Sequence, residues 1–125
     1  MTKGVALVTG GGRRIGAQIC ATLIEEGWYV IVHARTSVDE AQALLDEASQ
    51  KANGEACGEV VKADLSSDEG LAFLIDATKS IIEAQNAAGL GVLVHNASIY
   101  NSKDYASVSL EELRLNNRIH IEVPF

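Results

Sequence analysis

The residue types best suited to bind a ligand lie in one glycine-rich segment near the start of the chain. It runs from Thr9 to Gly16, reads TGGGRRIG, and separates a short apolar run at 5–8 from apolar residues at helical spacing. Glycines allow a sharp turn and a close approach to phosphate, and the following helix offers unpaired amides and its positive dipole end. This context predicts a loop that binds the pyrophosphate of a nucleotide. A P-loop is excluded because no Gly-Lys-Ser or Gly-Lys-Thr follows.

A second set of polar residues lies at 33–37, which reads HARTS and follows another apolar run. A dinucleotide-binding fold specific for NAD places an acidic residue at the end of its second strand, where it binds the ribose 2′-hydroxyl. No carboxylate occurs here before Asp39. Arg35 and Arg14 could instead hold a 2′-phosphate from two sides, with the neighbouring Thr and Ser hydroxyls as further donors. The pattern favours NADP(H), with two solvated arginines as the alternative.

The scaffold that would position these residues alternates strands with helices. Continuous apolar strands separated by amphipathic helices predict a parallel sheet covered on both faces. Right-handed crossovers then favour the strand order 3-2-1-4. We therefore predict an α/β fold, a doubly wound parallel sheet of the Rossmann type, as one domain over residues 1–125. The predicted strands are 5–8, 28–32, about 57–62 and 91–94, and the predicted helices are one that stops at Gly27, then about 38–52, about 68–88 and one that opens at Ser109.

Capping boxes mark where the last three helices begin. In such a box a Ser side chain accepts the amide three residues on, and a Glu reaches back to the amide of the Ser. The three matches are Ser37 with Glu40, Ser66 with Glu69, and Ser109 with Glu112.

Composition narrows the class of protein. Hydrophobic residues make up 47% of the chain, and a formal net charge of −7 with scattered Lys and Arg argues against a nucleic-acid binder. A chain with no secretory leader and no apolar segment of membrane length is expected to be cytoplasmic. Cys20 and Cys57 are expected to be buried small hydrophobes rather than a disulfide. The three histidines lack metal-ligand spacing, and His33 is interpreted as a polar residue at a strand end.

Three motifs, each at the carboxyl end of a predicted strand, resemble the short-chain dehydrogenase/reductase family. They are Thr-Gly-(x)5-Gly after strand 1, Asp64-Leu65 after strand 3, and Asn96-Ala97-Ser98 after strand 4. The resemblance covers the whole chain. It implies that Asp64 accepts the adenine amine, that Leu65 contacts the ring, and that residues 96–98 line the crevice beside the nicotinamide ribose.

The residues around the glycine loop narrow the resemblance further. Where the common family pattern has a middle glycine, this chain has Arg14. The sequence RRIG, together with HNAS at 95–98, resembles the pteridine reductase and dihydromonapterin reductase branch. That branch uses NADPH to reduce a pterin ring, which implies a small-molecule, pterin-like substrate. By the same resemblance, Ser98 and Tyr100 reach the substrate pocket, where Tyr100 would stack on the flat pterin.

His120 departs from the family pattern. Family members carry an Asn four residues before a Pro-Phe pair, and that Asn holds the water that relays protons to a catalytic Lys. Here His120 occupies the Asn position and Pro124 follows it. A His can hold a water and transfer a proton, so His120 is our candidate catalytic residue, with a structural helix residue as the alternative.

The catalytic Ser and the Tyr-x-x-x-Lys pair of the family do not occur in these 125 residues. We therefore expect a truncated, N-terminal part of a reductase that is inactive alone and, with strand 4 at the sheet edge, forms a homo-oligomer. A non-catalytic NADP(H)-binding module and a reductase of another carbonyl substrate (3-oxoacyl, sugar or alcohol) are the alternatives. The candidate cofactor-binding residues are Thr9, Gly10, Gly12, Arg13, Arg14, Ile15, Gly16, Arg35, Thr36, Ser37, Asp64, Leu65, Asn96, Ala97 and Ser98.

Overall fold

Strands and helices alternate along the chain in the computed structural model, which describes residues 3–98 and 109–124. The strands are β1 (Val5–Val8), β2 (Tyr29–Ala34), β3 (Gly58–Lys62) and β4 (Leu90–Val94), and the helices are α1 (Arg14–Glu25), α2 (Val38–Lys51), α3 (Asp68–Ala84) and α4 (Leu110–Asn117), which continues into a π-helical turn (Arg118–Glu122). The sheet has the order β3-β2-β1-β4, and all three pairings are parallel. The predicted fold class and strand order are confirmed.

Two boundaries differ from the sequence prediction for physical reasons. Strand β2 extends beyond its apolar run because His33 and Ala34 still pair with Val61 and Lys62 of β3. Helix α3 ends at Ala84 rather than near residue 88, where Asn86 adopts a left-handed conformation with φ of 55°. A left-handed residue just beyond the last turn is a common way to end a helix.

The two central strands are buried at every residue, and the core packs against both of their faces. On one face, side chains of β1 and β2 such as Ile31 pack with Leu74 of α3 and Ile119 of the π-helical turn. On the other, Val30 and its neighbours pack with Cys20 of α1 and residues of α2. Burying a side chain the size of Val or Ile stabilises a fold by about 1.5–3 kcal/mol. The core therefore fixes the carboxyl ends of β1 and β2 firmly in place.

The cysteines occupy different environments. Cys20 is buried, as predicted, and burial raises the pKa of its thiol to about 12. Cys57 is only half-buried, so the prediction of two buried cysteines is wrong for Cys57. It lies just before β3, on the wall of a groove rather than in the core.

Only one of the three predicted capping boxes has its Ser cap as expected. The Ser109 hydroxyl accepts the amide of Glu112 at 3.1 Å, which confirms that prediction. At α3 the prediction of Ser66 is wrong: Ser67 caps the helix, because the carboxylate of Asp64 is the stronger acceptor and binds Ser66. Ser37 precedes α2 but makes no side-chain cap bond, since its backbone is not extended.

The sheet edge at β4 is less covered than the centre. Residues of β4 alternate between half-buried and exposed, and Leu93 is 47% exposed. In residues 3–98 and 109–124, no helix combines the length and apolar character needed to cross a membrane.

Candidate functional site

A crevice of about 290 Å³ opens at the carboxyl ends of the strands, where the strand order reverses between β1 and β4. Open α/β sheets bind their ligands at this point because loops from both halves of the sheet meet there. The crevice brings together many of the predicted cofactor residues and adds several others. Its lining consists of Gly10, His33, Arg35, Thr36, Ser37, Asp64, Leu65, Ser66, Ala97, Ser98, Leu115 and Ile119.

The glycine loop approaches its neighbours too closely for side chains. A Cβ atom at Gly12 would lie 2.6 Å from Ser37 Oγ, and one at Gly16 would collide with the Gly10 carbonyl. Gly10 itself has a φ of 64°, and a Cβ there would lie 2.9 Å from Ala97 Cα. The loop thus holds β1, α1 and the β4 loop in close contact. Helix α1 begins within this segment, at Arg14, and no side-chain bond caps its N-terminus at Arg13, so its first amides suit an anion.

Arg14 stands at a strained backbone position. Its φ of 55° lies in the left-handed region, which costs a residue with a Cβ about 1–2 kcal/mol relative to the right-handed region. This is the position at which the family pattern described above has glycine. Strain of this kind is held in place by the surrounding structure and is common at ligand-binding sites. Arg13 and Ile15 beside it are exposed, Ile15 at 72%.

The two arginines predicted to hold one phosphate border different cavities. Arg35 lines the crevice, whereas Arg14 lines a larger groove of about 680 Å³ between α1 and α2. The two cavities adjoin at the glycine loop, where Gly12 lies against Ser37. That both arginines contact a single phosphate stays a prediction. The larger groove is not our candidate site, because the motif residues converge on the crevice instead.

Asp64 is held in its ionised form at the mouth of the crevice. The Ser66 hydroxyl and amide donate to its Oδ1 at 2.6 and 3.0 Å. These bonds, with a smaller contribution from Arg35, hold the pKa of the exposed Asp64 carboxyl below its ordinary value. Neither bond uses Oδ2. A carboxylate fixed in this way is suited to accept a hydrogen bond from an amino group.

Thr9 joins the end of β1 to the loop after β4. Its buried hydroxyl accepts the amides of Asn96 and Ala97 at 3.1 and 3.0 Å, and donates to the Val94 carbonyl at 3.4 Å. The Asn96 side chain donates to the Gly10 carbonyl at 2.9 Å. Two residues predicted to contact the cofactor therefore also build the crevice that would receive it. Ser98 lines the crevice and is exposed, while Tyr100 lies outside the described residues.

His33 lies at the end of β2, as interpreted from the sequence, but its burial and its two contacts were not predicted. It is 3% exposed, and its ring lies between the glycine loop and the end of β3. The Gly10 amide donates to Nδ1 at 2.9 Å, and Nε2 lies 2.9 Å from the Ala63 carbonyl. The only sequence signal was a polar residue where an apolar strand should continue.

Leu115 of α4 and Ile119 of the π-helical turn that follows it close the far side of the crevice. Arg118 anchors this turn to the loop after β3. Its Nε donates to the Leu65 carbonyl at 3.4 Å, and its Nη2 lies 2.7 Å from Asp68 Oδ1, an ion pair without hydrogen-bond geometry. His120 is exposed and follows Ile119. Its predicted part in proton relay stays a prediction.

Known proteins resemble this chain in sequence. A model of the short chain dehydrogenase family matches residues 4–123. Dihydromonapterin reductase of Enterobacter sp. (strain 638) is 30% identical over 119 residues, which covers 95% of this chain and 44% of the reductase. The chain thus spans less than half the length of that relative.

Solved structures resemble it as well. The angucycline C-6 ketoreductase LanV with bound NADP has a TM-score of 0.87 and 27% identity, over 99% of this chain and 48% of the ketoreductase. FolM alternative dihydrofolate reductase 1 from Brucella canis, complexed with NADP, has a TM-score of 0.78 and 27% identity, over 98% of this chain and 45% of the reductase.

Proposed function

Because the chain belongs to the short-chain dehydrogenase family, we propose that it is the NADP(H)-binding, N-terminal part of an oxidoreductase. The observation that carries the proposal is the end of β2, where Arg35 lines the crevice and no carboxylate lies between the strand and Asp39. A guanidinium there favours a 2′-phosphate over a free 2′-hydroxyl. Both solved relatives described above were crystallised with NADP, which supports the same cofactor.

Different residues in and around the crevice are proposed to hold different parts of NADP(H), which supplies a hydride when it is bound. The glycine loop and the first turn of α1 take the pyrophosphate. Arg35, with Thr36, Ser37 and Arg14, takes the 2′-phosphate. Asp64 and Leu65 receive the adenine, and residues 96–98 lie beside the nicotinamide ribose. The close contacts at Gly12 and Gly16 support this assignment indirectly, because they pack the loop against Ser37 and the Gly10 carbonyl and so fix its backbone beside the crevice.

We propose a pterin or dihydrofolate type of substrate for the whole enzyme. The supporting observations are the resemblance to dihydromonapterin reductase and to FolM alternative dihydrofolate reductase 1. Ser98 and Tyr100 would contact that substrate, and His120 would hold the relay water. The likeness to a C-6 ketoreductase favours a ketone as the second candidate. A cytoplasmic location and homo-oligomers remain part of the proposal.

Titration of the 125-residue chain with NADPH and NADH tests the cofactor assignment. Charge-assisted hydrogen bonds to a phosphate contribute about 1.5–3 kcal/mol each, so NADPH should bind at least about tenfold more tightly, and by less at high salt. Equal affinities would overturn it.

Turnover tests the rest of the proposal. Since the chain has no Tyr-x-x-x-Lys pair, it should not oxidise NADPH with a dihydropterin or a ketone, because proton transfer alone contributes about 10²–10⁴ in rate. A longer protein that continues this chain should reduce the dihydropterin in preference to the ketone. Turnover by the 125-residue chain that survives repurification would contradict the first expectation, and a preference for the ketone would contradict the second.

A further inference from the structure

The His33 side chain is the only imidazole among the described residues that is buried, and it contacts two loops at once. The Gly10 amide donates to Nδ1, so Nδ1 carries no proton. The proton of the neutral ring must then sit on Nε2, which donates to the Ala63 carbonyl. Gly10 belongs to the loop proposed to hold the pyrophosphate, and Ala63 immediately precedes the Asp64–Leu65 pair proposed to hold the adenine.

We infer that His33 is a positioning residue whose two hydrogen bonds hold these two loops at a fixed separation, and that protonation of its ring breaks the bond to Gly10. For NADP(H) the inference rests on the proposed function; for the loop itself it stands on the two hydrogen bonds. A protonated ring carries hydrogen on both nitrogens, so Nδ1 would meet the Gly10 amide as a second donor. The Gly10 amide would then lose its acceptor. The glycine loop would no longer be held at a fixed distance from the end of β3.

The charges around the ring act in opposite directions. Burial lowers the pKa of His33, while the bond to Ala63 and the Asp64 carboxylate raise it, and burial is the largest effect. Arg35 acts on the same Asp64 carboxylate and weakens its pull on the ring. A histidine whose folded pKa is depressed is neutral in the folded chain at pH values where the unfolded chain already binds a proton. Both hydrogen bonds of the ring are therefore intact near neutral pH. The free energy of unfolding falls as the pH drops below 6.5, the ordinary pKa of a histidine.

Two substitutions separate the contacts of the ring. In His33→Asn the amide oxygen stands near the position of Nδ1 and can accept from Gly10. In His33→Gln the amide nitrogen stands near the position of Nε2 and can donate to Ala63, but Gly10 loses its acceptor. Thr78→Val is the matched control, because Thr78 is also buried and hydrogen-bonded but lies on α3, away from the crevice.

The first measurement is made without cofactor. Amide hydrogen exchange of Gly10 should be slow in the unmodified chain and in His33→Asn, and about tenfold faster in His33→Gln, since a buried donor without an acceptor is costly. A ¹H–¹⁵N spectrum of the imidazole should show Nδ1 without a proton. A proton on Nδ1, or unchanged Gly10 protection in a folded His33→Gln protein, would overturn the inference whether or not NADP(H) binds.

The second measurement follows NADPH affinity between about pH 5 and about pH 8. Ionisation of the cofactor phosphate affects every protein equally, so the ratio of dissociation constants between the unmodified chain and His33→Asn isolates the ring. This ratio should rise toward acid pH, with Thr78→Val behaving as the unmodified chain. A ratio that stays flat would overturn the pH dependence. Failure of all proteins to bind NADPH would instead count against the proposed function alone.

Discussion

The two sides of the crevice are built to different degrees. On the adenosine side, the ends of β1, β2 and β3 are joined by short hydrogen bonds, including Gly11 N to the His33 carbonyl at 2.9 Å and Ala63 N to the Ala34 carbonyl at 3.1 Å. On the β4 side, Thr9 holds the loop after the strand, but the strand itself is partly exposed. The side proposed to select the cofactor is thus the more tightly hydrogen-bonded of the two among the described residues. The side where hydride transfer would occur lacks the acid-base residues of the family.

The largest effect expected on the adenosine side comes from Gly16→Ala. Its methyl group would collide with the Gly10 carbonyl and lie 2.5 Å from Asn96 Nδ2. Because the backbone must move to admit the methyl group, we expect the free energy of NADPH binding to weaken by about 3 kcal/mol. This corresponds to a loss on the order of a hundredfold in NADPH affinity. Gly89→Ala is the control, since nothing lies within 4 Å of a Cβ there. Isothermal titration of both variants decides the matter, and equal affinities would show that the loop does not shape the site.

The second effect concerns the charge at the end of β2. Arg35→Asp replaces attraction for a 2′-phosphate with repulsion and offers a carboxylate to a 2′-hydroxyl. We expect the preference for NADPH over NADH to fall by more than about tenfold and to reverse. Lys62→Asp makes a similar change of charge on an exposed β3 residue that does not line the crevice. If Arg35→Asp and Lys62→Asp shift the ratio equally, the effect reflects overall charge rather than a contact.

Sequence alone predicted the fold class and strand order because apolar runs and glycine turns are local signals. Several residues that it proposed for the cofactor, among them Arg35, Asp64 and Ser98, line one crevice, since the carboxyl ends of parallel strands meet at one edge. It placed His33 at a strand end but did not predict its contacts, because Gly10 and Ala63 lie far from it in the chain. It chose Ser66 over Ser67 as a cap because two adjacent serines offer the same capping group, and the local bond from Ser66 to Asp64 was not predicted. Long-range hydrogen bonds leave no periodic signal in a sequence.

The β4 side should respond to a change that leaves the adenosine side untouched. Leu93 is half-exposed on β4, which is the edge strand among the described residues, and an apolar side chain at a sheet edge favours association. Leu93→Lys should weaken self-association of the 125-residue chain by about fivefold without altering NADPH affinity. Leu110→Lys, a change of an exposed leucine on α4 away from the sheet edge, is the control. Sedimentation over a concentration series measures both, and a monomer at every concentration before mutation would contradict the proposed association through β4.

The smallest effect tests whether strain at Arg14 serves cofactor selection. Arg14→Gly relieves a left-handed conformation worth about 1–2 kcal/mol, but a glycine also loses about 0.5–1 kcal/mol through the greater freedom of the unfolded chain. The free energy of unfolding should therefore rise by about 0.5–1 kcal/mol, while the preference for NADPH over NADH should fall by about three- to fivefold. Asn53→Gly is the matched control, because Asn53 has a φ of 59° in the loop after α2, away from the crevice lining. Asn53→Gly should gain stability, though less than Arg14→Gly since Asn tolerates this conformation better, and should leave the cofactor preference unchanged.

Denaturant unfolding measures the free energy of unfolding, and paired titrations with NADPH and NADH measure the cofactor preference. A destabilised Arg14→Gly protein would mean that side-chain contacts in the α1–α2 groove outweigh the strain. A stabilised protein whose preference for NADPH over NADH is unchanged would mean that Arg35 alone contacts the 2′-phosphate. Arg14 would then have no part in cofactor selection.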